Sequence, residues 1–476
     1  MQIASVHFRE RAARALADER LQSTMRRFGR GFVDKRAAAR EAYGAEAFEE
    51  LRAASAAIRD RALGNLDAWL ARFEEEARRR GTVVLWAEDA SEVCRHVLEI
   101  CARHGLGKAI KSKSMLSEEA GLNEVLAAAG VQPVETDLGE YILQLAGEPP
   151  SHIIAPAIHK DLGEVAELFE KHHRRPRSDD IQRMTREARE MLRPQFLSAD
   201  LGISGGNFLV AETGSVAIVT NEGNGRMVTT LPRVQVAITG IEKVIATLED
   251  LSTLNRILPR SATGQEIENY FSILTGPKRG GDGDGPEHMY VILVDNGRTR
   301  LLGGELRDMM RCIRCGACMN HCPVYQTVGG HAYGWVYPGP MGSVLTPVYN
   351  GLENALDLPQ AATLCGACEV ACPVMIPLPE LLRRLREQQV DRGLRPWPER
   401  AALRLWAMLA LQPRLYALAT AIAARILHWM GGRRGSIARL PFDPGWTLGR
   451  DFPAPEGKTF RQLYAPRRAA TRWLHP

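Results

Sequence analysis

The sequence lacks a long hydrophobic run. No window of about eighteen residues is both apolar and free of charge, which a membrane-spanning helix requires. The opening segment MQIASVHFRERAARALADER contains no apolar core of signal-peptide length, so we expect a cytoplasmic protein. A net charge of +5 on 476 residues is small, and no helix-turn-helix pattern is visible, which argues against nucleic acid as a partner.

The nearest approach to a membrane segment lies close to the C-terminus, in the stretch LRLWAMLALQPRLYALATAIAARILHWMGG. Arg404, Arg414 and Arg425 interrupt its apolar residues, and Pro413 breaks it into two predicted amphipathic helices. Their apolar faces either pack on the body of the protein or dock on a partner subunit or a membrane surface. Peripheral membrane contact through these helices therefore stays open.

Fingerprints of organic cofactors are also missing. No GxGxxG motif follows a predicted strand, and neither a P-loop nor a flavin motif is visible. The sequence therefore assigns no NAD or flavin site.

Cysteine is scarce outside one region. Seven of the nine cysteines lie between Cys312 and Cys372. The other two, Cys94 and Cys101, have apolar neighbours in a predicted helix and are expected in the core. Clustered cysteines in a reducing compartment indicate metal binding or catalysis rather than disulfide bonds.

The clustered cysteines form two related motifs, which are the one internal repeat we find. They are Cys312-x2-Cys315-x2-Cys318-x3-Cys322-Pro323 and Cys365-x2-Cys368-x3-Cys372-Pro373. Three thiolates at such intervals on a loop can reach different irons of one cubane. In two-cluster ferredoxins the fourth cysteine, which precedes a proline, ligates the other cluster. Zinc would favour separated Cys-x2-Cys pairs with four ligands per site, so the pattern predicts two iron–sulfur clusters that pass single electrons.

The crossed assignment gives the two clusters unequal ligand sets. Cluster one takes Cys312, Cys315, Cys318 and Cys372, and cluster two takes Cys322, Cys365 and Cys368. A complete second motif would have cysteine where Ala362 stands. Cluster two is therefore a three-iron cluster, or a four-iron cluster with an open iron or a non-cysteine ligand, for which His321 and His331 are nearby candidates. In the linker between the motifs, we expect Tyr333, Trp335 and Tyr337 to have packing roles.

Before the cysteine region, short apolar runs alternate with helical stretches. This alternation predicts an α/β domain with a mostly parallel sheet. The predicted strands are TVVLWA, VQPVETDLG, SHIIAPA, two in FLVAETGSVAIVT, VQVAITG and MYVILV. Helices are predicted at residues 90–104, after Ser117 and from Ile241.

Several polar residues follow these strands, where ligands bind in open α/β sheets. The loop KSKS could hold a carboxylate or phosphate, and the glycine-rich loops near residues 206 and 223 could complete a pocket. The candidate substrate-binding residues are Lys111, Lys113, Ser114, Asn207, Glu212, Glu222 and Asn224. Alternatively, each of them could have only a structural role, within a turn or as a solvated charge.

The phrases KSKSMLSEEAGLNEVL, SHIIAPAIHK and SGGNFLVAETGSVAIVTNEGNGRMVTTLP, with the ordered cysteine motifs, resemble the lactate-utilisation protein B family. The resemblance implies an α/β lactate-utilisation domain, similar to sugar-isomerase and CoA-transferase folds. An α-helical two-cluster ferredoxin-like domain and a helical tail would follow it. It also implies the seven cysteines as cluster ligands, and sister proteins A and C as partners. The implied division is residues 1–70 (helical segment), 71–304 (α/β domain), 305–390 (cluster domain) and 391–476 (tail).

Two functions remain in view. The first is an oxidoreductase subunit that transfers electrons while the complex oxidises L-lactate to pyruvate, with an unidentified electron acceptor. The alternative is an enzyme acting on a CoA ester or a sugar phosphate in the α/β domain, with structural clusters. That enzyme would need a catalytic carboxylate, and Glu212 and Glu222 are the candidates.

Overall fold

The computed structural model describes residues 3–220, 222–266, 270–441, 447 and 450–471. The chain forms two compact units, Met1–Gln389 and Val390–Pro476. The first unit contains the N-terminal helices, the α/β domain and the cysteine region. The second unit contains the C-terminal helices.

Four helices precede the sheet. They are rich in Ala, Arg and Glu, which favour helix formation, and Asp18 caps the second helix by accepting a hydrogen bond from the Leu21 N–H. Phe48 and Phe73 are fully buried beneath them. The helices are α1 (Phe8–Ala17), α2 (Glu19–Tyr43), α3 (Ala45–Gly64) and α4 (Leu66–Arg79), after a 3-10 turn at Ser5–His7.

The α/β domain is built on a six-stranded sheet in which all neighbouring strands are parallel. In sheet order the strands are β1 (Val83–Ala87), β10 (His288–Val294), β7 (Val234–Gly240), β4 (Leu201–Gly205), β2 (Lys108–Lys111) and β3 (Gln132–Glu135). All seven residues of β7 are buried, as expected for a central strand covered on both faces. The predicted parallel sheet is confirmed.

Helices cover the faces of this sheet. They are α5 (Ala90–His104), α6 (Met115–Glu119), α7 (Leu122–Ala128), α8 (Leu138–Ala146), α9 (Leu162–His173), α10 (Ile181–Ser198) and α11 (Asn224–Thr230). Two further helices are α12 (Leu248–Ala262), which packs against α2 and α3, and α13 (Thr299–Leu302), which follows β10. Cys94 and Cys101 of α5 lie in the hydrophobic core with Val93 and Val97, which confirms their predicted position.

A second, smaller sheet was not predicted. It has the order β8 (Val244–Ile245), β5 (Phe208–Val210), β6 (Ser215–Thr220) and β9 (Tyr270–Leu274). Strands β5 and β6 form the predicted hairpin, and Gly214 (φ 64°) at its turn lies so close to the α4 backbone that a Cβ would clash with Ala77.

The cysteine region is made of short helices and loops. It contains α14 (Ala317–Asn320), α15 (Pro323–Val328), α16 (Gly339–Asn350), α17 (Ala367–Ala371) and α18 (Leu378–Asp391). A 3-10 turn at Arg307–Arg311 precedes α14, and two more lie between the helices, at His331–Tyr333 and Leu352–Ala355. Tyr333, Trp335 and Tyr337 are buried, in agreement with their predicted packing role.

The second unit contains α19 (Trp397–Ala410), α20 (Pro413–Gly431) and α21 (Phe460–Thr471), with β11 (Ser436–Ile437) antiparallel to β12 (Phe452–Pro453). A 3-10 turn at Gly432–Arg434 follows α20. The predicted break at Pro413 is confirmed. Among the described residues, no single helix is long and apolar enough to cross a bilayer; only the bent pair at 397–410 and 413–434, turned by 117°, reaches that length and composition together.

Three local predictions were wrong. The segment SHIIAPA forms turns rather than a strand, because its backbone bonds locally, for example from the Ser151 N–H to the Pro156 carbonyl. Helix α6 begins at Met115, since Ser114 rather than Ser117 provides the N-cap. After β7, a 3-10 turn at Ile241–Lys243 and strand β8 precede the helix, which begins only at Leu248.

Candidate metal centre and the adjoining cavity

The two cysteine motifs adopt the same local geometry. In the first motif Arg314 (φ 59°) and Gly316 (φ 76°) are left-handed, and in the second Leu364 (φ 54°) and Gly366 (φ 82°) repeat the pattern. Each left-handed pair curls the backbone before the helix that follows, α14 or α17. The two loops therefore present their thiols inward from short helices that pack together.

Four thiols line one enclosed space and define the first thiol group: Cys312, Cys315, Cys318 and Cys372. Burial raises the pKa of Cys372 to about 11. Burial, then the neighbouring Cys372, also raises the pKa of Cys315. Buried thiolates this close are stable only when cationic metal lies among them, so the donor set fits an iron–sulfur cluster.

The remaining clustered thiols define the second thiol group: Cys322, Cys365 and Cys368. Burial, followed by the nearby Cys322 and Cys365, raises the pKa of Cys368 to about 12. Cys365 is exposed, and hydrogen bonds from Thr363 and the Ala367 N–H lower its pKa. This group therefore has three thiols and an edge that faces solvent.

The two histidines considered as further ligands have other hydrogen-bond partners. His321 Nδ1 donates to the Ala317 carbonyl at 2.9 Å. His331 Nε2 donates to the Pro149 carbonyl at 2.7 Å, and its ring lies against His159 with 4.4 Å between centroids. These contacts are typical of structural histidines.

Buried basic side chains lie around the first thiol group. Arg36 and Arg52, from α2 and α3, donate to the carbonyls of Ala371 and Cys372 at 3.1 and 2.8 Å. Lys243 donates to the Cys312 carbonyl at 3.3 Å. These arginines were not predicted from the sequence, because their helices resemble ordinary charged surface helices.

Arg59 of α3 joins three parts of the first unit. Its guanidinium is fully buried and donates to the carbonyls of Glu242 and Val244 in the α/β domain, the latter at 3.0 Å. It also donates to the carbonyls of Met310 and Arg311, just before the first cysteine, at 3.2 and 3.3 Å. One side chain therefore fixes the cysteine loop against the sheet.

A cavity of about 540 Å³ opens at the carboxyl ends of β2, β4 and β7. Ile313, Arg314, Cys315 and Tyr337 of the cysteine region form one of its walls. Five of the predicted substrate-binding residues also line it: Lys113, Ser114, Asn207, Glu222 and Asn224. Residues 153–158, which overlap the predicted strand SHIIAPA, contribute another wall. Cys315 thus faces both the first thiol group and the cavity.

Two predicted residues lie elsewhere. Lys111 is buried at the end of β2, where its Nζ lies 2.7 Å from Glu135 and 3.3 Å from Glu118. These carboxylates neutralise its charge, so it does not serve an anion in the cavity. Glu212 accepts a hydrogen bond from the Leu248 N–H at the start of α12.

The cavity lining contains one carboxyl group whose pKa is raised and one whose pKa is lowered. Burial, then the neighbouring Asp137, raises the pKa of Glu222. Burial also disfavours the ionised form of Glu242, but Arg298 and Lys243 outweigh it and hold its pKa at about 2. Carboxyl groups whose pKa values are shifted in opposite directions suit a site for a polar organic molecule.

Comparison with known protein families adds three matches. A LUD domain matches residues 70–294, a 4Fe-4S dicluster domain matches residues 308–376, and a domain described as "Lactate utilisation protein B, C-terminal" matches residues 383–469. Together they cover most of the chain in the order expected from the sequence: an α/β domain, a cluster domain and a helical region.

Characterised and uncharacterised relatives extend over nearly the whole length. The chain is 40% identical over 486 residues to lactate utilization protein B of Bacillus subtilis, covering 99% of this chain and 98% of the relative. It is 42% identical over 422 residues to an uncharacterized electron transport protein, YkgF, of Escherichia coli, covering 89% of each. A solved DUF162 family protein from Deinococcus radiodurans matches 48% of this chain and 98% of its own length at 13% identity, with a TM-score of 0.28.

Proposed function

We propose that this chain, which belongs to the lactate utilization protein B family, passes electrons through two iron–sulfur clusters while its complex oxidises L-lactate to pyruvate. Its family and its cluster domain give it an iron–sulfur electron-transfer role in lactate utilisation. The observation that carries the finer proposal is the crossed grouping of the thiols, since it provides two adjacent one-electron centres.

In this proposal the first thiol group holds cluster one and the second holds cluster two. Cys372 crosses to cluster one and Cys322 crosses to cluster two, so each motif contributes to both sites. Cluster one lies between buried cations and the cavity, whereas Cys365 brings cluster two to the surface. This arrangement supports a path in which electrons enter near the cavity and leave at the solvent-facing cluster, and the sister proteins A and C would supply the missing steps.

The test is anaerobic purification followed by iron and sulfide analysis and electron paramagnetic resonance during lactate titration. We expect about seven to eight irons per chain. We expect lactate to reduce the clusters only when proteins A and C are present. Zinc in place of iron would contradict the proposal. So would clusters that dithionite reduces but that lactate does not reduce in the complete complex with proteins A and C.

The position of Glu222 also keeps the second function testable. It lines the cavity, whereas Glu212 does not, so Glu222 is the carboxyl that a CoA-ester or sugar-phosphate enzyme would use. Such an enzyme would show a transferase or isomerase activity independent of cluster reduction. Loss of this transferase or isomerase activity in Glu222→Gln, with the cluster content unchanged, would favour this second function.

Arg314 provides a prediction about cluster one. Its guanidinium lies over the Tyr337 ring at 4.7 Å, and its backbone N–H donates to Cys312 Sγ at 3.4 Å. A nearby cation favours the reduced, more negative cluster. We expect Arg314→Gln to lower the reduction potential of cluster one by roughly 50 mV, equivalent to about 1 kcal/mol, in a potentiometric titration followed by electron paramagnetic resonance. Cluster two serves as the internal control, and Arg300→Gln, which changes an exposed arginine, serves as the control variant. An unchanged potential of cluster one in Arg314→Gln would contradict the assignment.

The C-terminal unit supports peripheral membrane contact as part of the proposal. Residues 390–476 contain fifteen Lys and Arg but only five Asp and Glu, although the whole chain carries only +5. Large apolar side chains are exposed on α19 and α20, including Trp406 (60%) and Trp429 (83%), and Leu411 (79%) is exposed between the two helices. Basic helices with exposed tryptophan and leucine are typical of segments that lie in the interface of an anionic membrane.

We therefore expect the protein to sediment with vesicles containing phosphatidylglycerol, and to be released by high salt because the attraction is partly electrostatic. The double variant Trp406→Glu and Trp429→Glu should weaken this binding by at least about tenfold. Leu197→Glu, which changes an exposed residue of α10, is the matched control. If the double variant binds vesicles normally but no longer binds protein A or C, these helices form a subunit interface instead.

A further inference from the structure

The cavity at the strand ends lies directly against cluster one. Cys315, a proposed ligand of that cluster, forms part of the cavity wall. A cubane held by four thiolates has no open iron, so it can exchange only single electrons with a molecule in the cavity. A redox-active occupant of this cavity must therefore be able to give or accept electrons one at a time.

The cavity is much larger than lactate requires. Its volume of about 540 Å³ lies in the range of pockets that enclose cofactors and drug-sized ligands. Apolar residues such as Ile154, Ile218 and Leu258 contribute to its lining, which suits a ring system. A three-carbon hydroxy acid would leave most of this space unfilled.

Two buried polar atoms in the cavity lining lack hydrogen-bond partners. They are Thr239 Oγ1, on a residue 1% exposed, and Glu242 Oε1, on a residue 3% exposed. Glu242 Oε1 faces Arg314 Nη2 at 3.6 Å, which is an ion-pair distance but too long for a hydrogen bond. Buried polar atoms are normally paired, so both atoms point to a ligand that supplies an N–H donor and a further polar group.

We propose that this cavity binds a flavin, with the isoalloxazine ring between the apolar walls and its polar edge at Thr239 and Glu242. The inference rests on the proposed function, because it identifies the carrier that links a two-electron substrate to one-electron clusters. The flavin ring carries both N–H donors and carbonyl acceptors. A nicotinamide passes electrons only as hydride. An oxidised quinone offers only acceptors, which would leave Glu242 Oε1 without a donor, whereas Glu242 Oε2 already accepts from Arg298 Nε at 2.8 Å.

The electron balance is complete. The hydroxy acid loses its C–H and O–H bonds as the C=O bond of the oxo acid forms. The oxidised ring takes up the two electrons and two protons that are released. The reduced ring then passes one electron to cluster one. After cluster one has reduced cluster two, the ring passes its second electron to cluster one, and both protons are released to water.

Binding to the anaerobically purified protein with its clusters intact tests this proposal. Riboflavin, FMN and FAD are titrated separately, and flavin fluorescence is followed. We expect saturable binding of at least one of them, near one per chain, with quenched fluorescence. Ile154→Trp should abolish binding by filling the cavity, whereas Ile181→Trp, at an exposed position of α10, should leave it unchanged. Thr239→Val should weaken binding about tenfold, the usual effect of one lost hydrogen bond.

A second readout tests the contact with cluster one. Illumination of the bound flavin in the presence of EDTA, which photoreduces flavins, should produce the electron paramagnetic resonance signal of reduced cluster one. The signal should be absent in Ile154→Trp, although dithionite still reduces the cluster there. No flavin binding by a protein with intact clusters, or binding that both cavity variants leave unchanged, would overturn the proposal. Because dithionite reduction and partner-dependent reduction by lactate are measured separately, this failure is distinguishable from failure of the electron-transfer function.

Discussion

Replacing Cys372 by alanine is expected to remove cluster one, although Cys372 belongs to the second motif. The same change at Cys322, in the first motif, is expected to remove or convert cluster two and to leave cluster one intact. The reason is the grouping of the thiols, in which each motif contributes its last cysteine to the other site. Each variant should lose about half of the iron and one of two electron paramagnetic resonance signals.

Cys101→Ala is the matched control, since it removes a buried thiol from the core of the α/β domain. It should retain both signals. An uncrossed arrangement gives the opposite result: Cys322→Ala would then abolish the same signal as Cys312→Ala. The two variants of the first motif therefore decide between the arrangements.

Replacing Arg59 by leucine is expected to cause the largest loss of stability among substitutions away from the cysteines. Leucine would leave four carbonyls without their donor, those of Glu242, Val244, Met310 and Arg311. Buried groups that lose their partners cost about 1–3 kcal/mol each, partly recovered by relaxation, so we expect a loss of roughly 3–5 kcal/mol. The thermal midpoint of the first unit should fall by about 4–6 °C in anaerobic calorimetry.

Arg61→Leu provides the comparison on the same helix. The Arg61 side chain is 55% exposed and pairs with the buried Asp250 at 2.6 Å, and a pair whose cation is open to solvent contributes about 1 kcal/mol. Arg59→Lys should recover only part of the stability, because one ammonium cannot reach four carbonyls in the geometry of a guanidinium. Equal losses in the Arg59 and Arg61 leucine variants would show that the buried contacts do not hold the cysteine loop.

Local patterns in the sequence predicted much of this architecture. The apolar runs of β7 and β10 carry their own signal, because strands buried on both faces are apolar almost throughout. The cysteine spacing likewise reflects the geometry of a loop around a metal cluster. Both features depend on residues close together in the chain.

Features that depend on distant residues were not predicted. Strand β9 completes the second sheet from about fifty residues beyond its partner β6, and nothing in either segment specifies that pairing. Lys111 appeared available for an anion, but Glu135 on the neighbouring strand neutralises it. The cavity itself forms only where the α/β domain meets the cysteine loop, so the sequence suggested five of its polar residues without showing that Cys315 lies beside them.

The arginines around the first thiol group have a consequence for maturation of the protein. Arg36 and Arg52 contact the second motif across more than three hundred residues, and Arg59 contacts the first across about two hundred and fifty. Closing such long loops is slow relative to local helix formation, so the earliest part of the chain to be synthesised must wait for the cysteine region to appear. Iron delivery to cluster one is thus expected late in biogenesis, after the N-terminal helices have docked, and a fragment containing only the cysteine region would lack the arginines that hold its loops.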